Sequence, residues 1–264
     1  MKFFYNFILS VTLFFASVCN SHVPKHNFSL DESNFVSISG PITRPNVDSV
    51  IQQLYSNNIQ NYINRNKKIL LYIDSPGGSV HEGMRLIHTI KNLQQKNITV
   101  DCIAENFMSM AFILFQVCDS RNILDHSIGM QHQMNLAIKG DIENVKSYFD
   151  MIFEINEQII DMEIKRIGIS YIDYRNKIIQ DWWLYGHDNI YNNVADNVVT
   201  VDCTPSLVSK SIVRKENFLG FTFTVKSSAC PLLKEKKISE PKLIMYYDES
   251  NYANGKMIRE INFL

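Results

Sequence analysis

The chain has 264 residues, of which 45% are hydrophobic and 20% are charged, and its formal net charge is −1. This length and composition are typical of one medium-sized globular domain with an appendage, and they exclude a disordered chain. A nearly neutral chain offers no electrostatic reason to bind nucleic acid or an anionic membrane surface, so we expect neither as a partner.

The N-terminal residues have the pattern of a secretory signal peptide. Lys2 precedes an apolar run from Phe3 to Val18, and small and then polar residues follow that run. A positive start, an apolar middle and a small-residue end predict a signal peptide over residues 1–21, and therefore a secreted or periplasmic protein. The alternative is an uncleaved membrane anchor, although the run is short for a spanning helix. The polar residues that follow, 22–34, are expected to form a flexible segment.

Export would place the cysteines in an oxidising compartment. Cys203 and Cys230 lie in the polar C-terminal part of the chain and could form a disulfide. Cys102 and Cys118 lie in apolar stretches, and we interpret them as buried small hydrophobic residues. The sequence has no Cys-x-x-Cys pair, so we expect no metal site.

Strand and helix patterns alternate along most of the chain. Apolar runs bounded by turn residues predict strands at 35–39, 68–73, 98–103, 122–124 and 129–133. Apolar residues at helical spacing predict helices at 47–63, 80–95, 109–117, 141–167 and about 170–179. Asp141 is the expected N-cap of the longest helix. Strands that alternate with helices predict an α/β fold with a mainly parallel sheet.

The composition changes near Cys203. A strand-like run covers residues 220–225, and two alternating runs follow at 242–247 and 256–263. The loop between the last two runs contains Asn-Gly, which is a hairpin signal. These patterns predict a small β-rich extension over residues 203–264.

Four features of the sequence could carry chemistry. They are the glycine turn Tyr72–Gly78, Ser109 at the start of an apolar helix, His132 on a short strand, and Asp181 before two tryptophans. Each has a plain structural interpretation on its own: a tight turn, a helix N-cap, a core histidine and a surface carboxylate. Together they would supply a catalytic triad and main-chain donors for an oxyanion hole.

In this order, the four features resemble the motifs of the Clp protease proteolytic subunit (ClpP) family. The family's Tyr-Ile-Asn-Ser-Pro-Gly-Gly corresponds to Tyr72–Gly78, and its Ala-Ser-Met-Gly-Ala-Phe corresponds to Met108–Phe112. Its Met-Ile-His-Gln-Pro corresponds to Met130–Met134. The family's acid precedes a segment that ends in Tyr-Gly-Leu-Val-Asp, as Asp181 precedes Asn192–Asp196.

The resemblance covers residues 35–202 and implies a ClpP/crotonase-like α/β fold of stacked βαβ units, with the helix after Asp141 as a long handle helix. The resemblance also implies a role for each site residue. The catalytic residues would be Ser109, His132 and Asp181. The oxyanion-hole donors would be Gly78 and Met110, and the substrate-binding residues would be Gly77 and Gln133. It also implies a homo-oligomeric ring that cleaves peptides or unfolded proteins, with no cofactor and no metal. The family usually works with a cytosolic ATPase, which an exported chain would not meet. We therefore predict an ATP-independent serine endopeptidase without an ATPase partner.

The sequence departs from the family's motifs around the nucleophile. Ala111 replaces a glycine, and Phe107 and Met108 replace small residues, which could narrow the substrate cleft. Met134 replaces a proline, and Gly140 is the one glycine in a segment that is glycine-rich in the family. Three alternatives stay open: a catalytically inactive oligomeric scaffold or binding protein on the same fold, a membrane-associated peptidase of the signal-peptide-peptidase A kind with a Ser-Lys pair, and an acyl-CoA enzyme of the crotonase kind.

Overall fold

The computed structural model describes residues 26–218, 221–233, 236–238 and 242–243, so the predicted signal peptide lies outside the described residues. The main sheet in this part of the chain has seven strands. They are β1 (His26–Leu30), β2 (Phe35–Ser39), β3 (Lys68–Ser75), β4 (Thr99–Met108), β5 (Ser120–Gln131), β6 (Trp182–Tyr185) and β7 (Asn197–Cys203). Their order is β1-β7-β5-β4-β3-β2, and β6 pairs with β5 off this path. The β5–β6 pair is antiparallel and the others are parallel, which confirms the α/β class.

The helices of the described residues connect these strands. They are α1 (Arg44–Leu54), α2 (Asn57–Asn66), α3 (Val80–Gln95), α4 (Met110–Gln116), α5 (Ile142–Ile167), α6 (Tyr171–Ile178), α7 (Asp188–Tyr191) and α8 (Pro205–Ser209). In these described ranges, no helix combines the length and the apolarity that crossing a membrane requires.

The region predicted as one helix at 47–63 forms two helices, α1 and α2. Val50 and Leu54 are buried on α1, and Ile59 and Ile63 are buried on α2. The step from Leu54 to Ile59 is five residues, whereas neighbours on one helix face are three or four apart. Because one straight helix would turn one of these pairs away from the core, the chain breaks between them.

The long helix α5 begins and ends where the sequence predicts. Asp141 precedes it without a side-chain capping hydrogen bond, and Gly168 ends it with a φ of 78°. The fully buried residues of α5 lie between Ile159 and Ile167. Large apolar side chains in its first half are exposed, among them Phe149 at 51% and Phe153 at 55%. The C-terminal part of α5 therefore packs on the core and the N-terminal part presents an apolar surface.

Residues 26–30 correct the expectation of a flexible segment at 22–34. They form β1, which pairs in parallel with residues 199–203 of β7. Leu30 is fully buried, and Phe28, two positions earlier, packs against the same apolar cluster. Two alternating apolar residues in a polar stretch are too short a signal to predict a strand. The strand β1 forms because its backbone pairs with β7.

Both disulfides of the described residues tie neighbouring elements together. Cys102 of β4 is bonded to Cys118, which follows α4, and this corrects the interpretation of these two as separate small hydrophobic residues. Cys203 at the end of β7 is bonded to Cys230, as the sequence suggests. The described part of the extension contains α8 and a second, antiparallel sheet of β8 (Ser211–Phe218), β9 (Phe221–Ser228), β10 (Lys236–Ile238) and β11 (Lys242–Leu243). The predicted Asn254-Gly255 hairpin and the run at 256–263 lie outside the described residues.

Candidate active site

The glycine turn after β3 lies directly against the serine that follows β4. Gly77 has a φ of 89° and Gly78 a φ of 147°, which are backbone angles that residues with a side chain rarely adopt. A Cβ on Gly77 would lie 2.7 Å from the Ser109 Cβ, and one on Gly78 would lie 2.5 Å from the Ile42 carbonyl oxygen. The Ile42 N–H donates to the Gly77 carbonyl at 2.8 Å and holds the turn in place. Glycine is therefore required at both positions for the close approach.

Ser109 occupies the sharp turn between β4 and α4. Its φ of 53° and ψ of −122° lie in a region that residues other than glycine seldom adopt. Its N–H donates to the Met130 carbonyl at 2.8 Å, which fixes it against β5. Its hydroxyl does not cap α4, as an N-cap serine would. Backbone strain of this kind is stored where a side chain must be aimed for function.

The Ser109 hydroxyl points instead at His132. The two atoms, Ser109 Oγ and His132 Nε2, are 2.9 Å apart. His132 is the first residue after β5, and its own N–H donates to the Gln131 side-chain oxygen at 3.1 Å. With the ring proton on Nδ1, Nε2 can accept the serine proton, which is what a general base must do.

Asp181 lies on the strand end that faces His132. Gln131 of β5 pairs with Trp182 of β6 in the antiparallel ladder. Continuing that ladder by one position sets His132 opposite Asp181, and side chains of directly opposed residues lie on the same face. Asp181 is exposed, and no hydrogen bond joins it to His132 in the described structure. The structure thus brings Ser109 and His132 into contact, and no hydrogen bond among the described residues joins Asp181 to either of them.

Two main-chain N–H groups belong to residues that line the cavity together with Ser109. Met110 begins α4, where the first N–H groups of a helix have no partner within the helix. Neither the Gly78 N–H nor the Met110 N–H has a hydrogen-bond acceptor among the described residues. Both residues line the same cavity as Ser109. Two unpaired donors beside a nucleophile are what an oxyanion hole requires.

A cavity of about 220 Å³ opens beside the serine and the histidine. Gln133 lines it, as do Ser109, His132, Gly78 and Met110, whereas Gly77 lies behind Ser109 and does not line it. Met134, which replaces the family's proline, forms part of its wall.

Two of the substitutions around the nucleophile, at Phe107 and Ala111, lie in the core and do not line this cavity. Phe107 is fully buried, and its ring packs against those of Phe112 and Phe115. Ala111 is also fully buried. Neither residue lines the cavity, so these two departures from the family motif fill the core and do not narrow the cleft.

The cavity also contains an acidic group that the sequence interpretation missed. Glu163 of α5 lines it and is only 1% exposed. Its two carboxylate oxygens accept hydrogen bonds from Gln131 Nε2 and from the Tyr174 hydroxyl, both at 2.6 Å. Burial raises the pKa of Glu163 to about 7, although both hydrogen bonds oppose that rise. The available signal was its spacing, because Glu163 lies four residues from Ile159 and from Ile167 on the buried face of α5.

The glycine turn, the serine and the histidine lie at the carboxyl ends of three neighbouring parallel strands. Gly77 follows β3, Ser109 follows β4 and His132 follows β5. This edge is where open parallel sheets place their sites. A serine held in a strained strand-to-helix turn, against a histidine and beside free main-chain N–H groups, is the arrangement of a serine hydrolase.

The comparisons with known proteins identify the family within that class. The Clp protease family model matches residues 22–202, and the chain belongs to this family. It is 27% identical over 165 residues to the ATP-dependent Clp protease proteolytic subunit of Borreliella afzelii (strain PKo), a match that covers 62% of this chain and 82% of the relative. It is 26% identical over 165 residues to the ATP-dependent Clp protease proteolytic subunit 1 of Borreliella burgdorferi, covering 62% and 83%. The corresponding subunit 1 of Prochlorococcus marinus (strain NATL2A) is 26% identical over 164 residues, covering 62% and 82%. Family membership confirms the resemblance seen in the sequence and supports a serine peptidase function.

Proposed function

We propose that this protein is a serine endopeptidase that hydrolyses peptides or unfolded proteins through Ser109, His132 and Asp181. The observation that carries the proposal is the 2.9 Å contact between Ser109 Oγ and His132 Nε2, at a strained turn beside two unpaired N–H groups. A buried structural serine would instead donate to a nearby carbonyl, as Ser127 does to Ala104.

In the proposed mechanism, each group has its own step of acyl transfer. His132 takes the proton as Ser109 Oγ attacks the peptide carbonyl, and then gives it to the leaving amine. The N–H groups of Gly78 and Met110 stabilise the oxyanion, and a donor of this kind typically contributes about 10²–10³ in turnover. Water then attacks the acyl-enzyme, with His132 as base again. In this proposal Asp181 completes the triad when its carboxylate turns to the His132 Nδ1–H, since the two residues follow and precede the paired Gln131 and Trp182.

The proposal includes an exported compartment and activity without an ATPase. Two disulfides join pairs of cysteines in the described chain, and such bonds persist in oxidising compartments, where a cytosolic ATPase is absent. The expected result is that the secreted protein begins after residue 21 and cleaves an unfolded protein substrate with no nucleotide present. N-terminal sequencing and a nucleotide-free cleavage assay check the two parts separately, and a retained N-terminus or a strict need for ATP would contradict them.

The deciding experiment for the activity is labelling with a fluorophosphonate probe, together with cleavage of a fluorogenic peptide library. Wild-type protein is expected to label and to cleave, and Ser109→Ala is expected to do neither while keeping the wild-type melting temperature. Ser147→Ala, at an exposed serine of α5, is the matched control and is expected to label as the wild type does. Unchanged peptide turnover in Ser109→Ala would refute the proposed nucleophile.

A further inference from the structure

The acidic residue that lines the cavity, Glu163, takes no part in the proposed acyl-transfer chemistry. Ser109 and Glu163 line the same cavity, and the walls near them come from apolar side chains of α4 and α5: Ile113, Ile159 and Ile160. A substrate side chain that enters beside the acyl carbon would share the cavity with these apolar side chains and with the Glu163 carboxyl. Polar side chains such as Asn135 and Asn156 also line the cavity, and Glu163 is the acidic residue among its described lining.

No cation among the described residues balances a negative charge on Glu163. No Lys or Arg lies among the described residues that line the cavity, and no described ion pair includes Glu163. Its two hydrogen-bond partners, Gln131 and Tyr174, are neutral. A buried carboxylate without a cation is costly. A glutamine in its place would carry no charge and could still accept from Gln131, although its amide would have to donate to the Tyr174 oxygen where the carboxylate accepts. The protein therefore keeps an acidic group where a ligand can supply the missing cation.

We propose that Glu163 selects peptides in which the residue on the acyl side of the cleaved bond is arginine or lysine. The methylene stem of either residue would lie along the isoleucine walls, and its charged head would bond to the carboxylate in a site without bulk water. This inference rests on the proposed function, since it names the substrate class of the same site. The raised pKa of Glu163 agrees with it, because a carboxyl that lacks a cation is the one a cationic side chain would ionise.

The test compares the binding of two acetylated pentapeptides that differ only in the last residue, arginine or norleucine. Norleucine has a similar stem without the charge. At pH 8 the wild type is expected to bind the arginine peptide at least about tenfold more tightly, because the contact is charge-assisted and desolvated. In Glu163→Gln the ratio of the two dissociation constants is expected to fall to about one.

Glu154→Gln is the matched control, since it removes the same charge from an exposed position of the same helix. It is expected to keep the wild-type ratio. Equal binding of both peptides by the wild type, or a ratio that Glu163→Gln leaves unchanged, would overturn the inference. If Glu163→Gln does not fold, the wild-type ratio alone decides.

Peptide binding needs no turnover, so this test is separable from that of the proposed function. If the protein prefers the arginine peptide but never reacts with the fluorophosphonate, the role of Glu163 in binding is supported and the peptidase proposal is refuted. If the protein reacts with the probe and cleaves peptides but shows no preference for arginine, the peptidase proposal is supported and the proposed role of Glu163 is refuted.

Discussion

At the scale of single residues, Asp181 is the group whose role depends most on a small movement. It lies opposite His132 by extension of the ladder, yet it is exposed and makes no described contact with the imidazole. If it orients the His132 tautomer during turnover, Asp181→Asn is expected to lower kcat by roughly 10³–10⁴, because the amide would stabilise the wrong tautomer. Steady-state kinetics on a fluorogenic peptide measure this.

The control for Asp181 is Asp188→Asn, which removes a carboxylate from the first residue of the short helix α7. It is expected to keep kcat within about twofold of the wild type, a change of under 1 kcal/mol in the barrier. A kcat of Asp181→Asn that matches that of Asp188→Asn would exclude Asp181 from the triad and leave Ser109 and His132 as a dyad.

The buried Glu163 carboxyl leads to a second prediction, which concerns how the free energy of unfolding depends on pH. Burial raises its pKa from the ordinary 4.5 to about 7 in the folded protein. Between these values the folded state holds a proton that the unfolded chain has lost. The stabilisation is therefore fully present below pH 4.5 and is lost as the pH rises through 7. The shift corresponds to about 3 kcal/mol.

Urea denaturation of wild type and Glu163→Gln between pH 4.5 and 8 checks this expectation. The wild-type free energy of unfolding should fall relative to that of Glu163→Gln by about 3 kcal/mol over the range. The same comparison with Glu154→Gln should give a nearly flat difference, since that side chain is exposed. A flat difference for Glu163→Gln would show that the folded carboxyl titrates near its ordinary pKa.

The sequence predicts the residues of the candidate site to different extents. Ser109 begins a predicted helix and His132 lies in a predicted strand, and four ordered motifs are enough to propose that the two residues meet. The aim of the Ser109 hydroxyl depends on a φ of 53°, which no local pattern requires of a serine. Glu163 belongs to the cavity only because α5, α6 and β5 converge on it, and such convergence is a tertiary property.

At the scale of elements, an ion pair between the buried Arg121 of β5 and the more exposed Asp196, which directly precedes β7, joins the starts of these two strands. The Arg121 side chain is 2% exposed and donates to Asp196 at 2.6 Å. It also donates to the Gln116 side chain at 2.7 Å and to the Asn193 carbonyl at 2.9 Å. Burial alone would raise the pKa of Asp196, but hydrogen bonds and charge from Arg121 outweigh it and hold the pKa below its ordinary value.

Asp196→Asn is expected to destabilise the protein by about 3 kcal/mol at pH 7, because it leaves Arg121 as an uncompensated buried cation. The stabilisation from Asp196 is present above the ordinary pKa of 3.8 and is lost as the pH falls through the lower, folded value. Urea denaturation should therefore show a smaller difference from wild type below pH 4. Asp202→Asn, at an exposed position of β7, is the control, and an equal loss in both variants would contradict the prediction.

The boundaries of elements show where local patterns fail. Helix α3 spans the predicted residues, since its apolar face and its capping Ser79 are both local signals. The predicted strands at 122–124 and 129–133 are two halves of β5. One half pairs with β4 up to Ile123, and pairing resumes at Ile128 after a shift of register. The connection between the halves comes from the shared partner strand, which the periodicity of either run does not contain.

At the scale of the whole molecule, the first half of α5 presents an apolar surface that the described chain leaves uncovered. Ile142 is 83% exposed, and Phe149 and Phe153 are 51% and 55% exposed. The rings of Phe149 and Phe153 stack at 6.5 Å between centroids, so they form one continuous patch. Exposed apolar patches rimmed by polar residues mark protein–protein contacts. The homo-oligomeric ring that the family resemblance implies would bury this face.

The double variant Phe149→Glu, Phe153→Glu is therefore expected to lower the native mass, because each carboxylate would have to be desolvated in the contact. Analytical ultracentrifugation measures the mass at several concentrations. Ile172→Glu is the control, since Ile172 is 71% exposed on α6 and lies outside the patch, and it should keep the wild-type mass. If the double variant assembles as the wild type does, the contact between subunits lies elsewhere. A smaller assembly that still reacts with the fluorophosphonate would separate assembly from the serine–histidine chemistry, because Ser109 and His132 make their 2.9 Å contact within one chain.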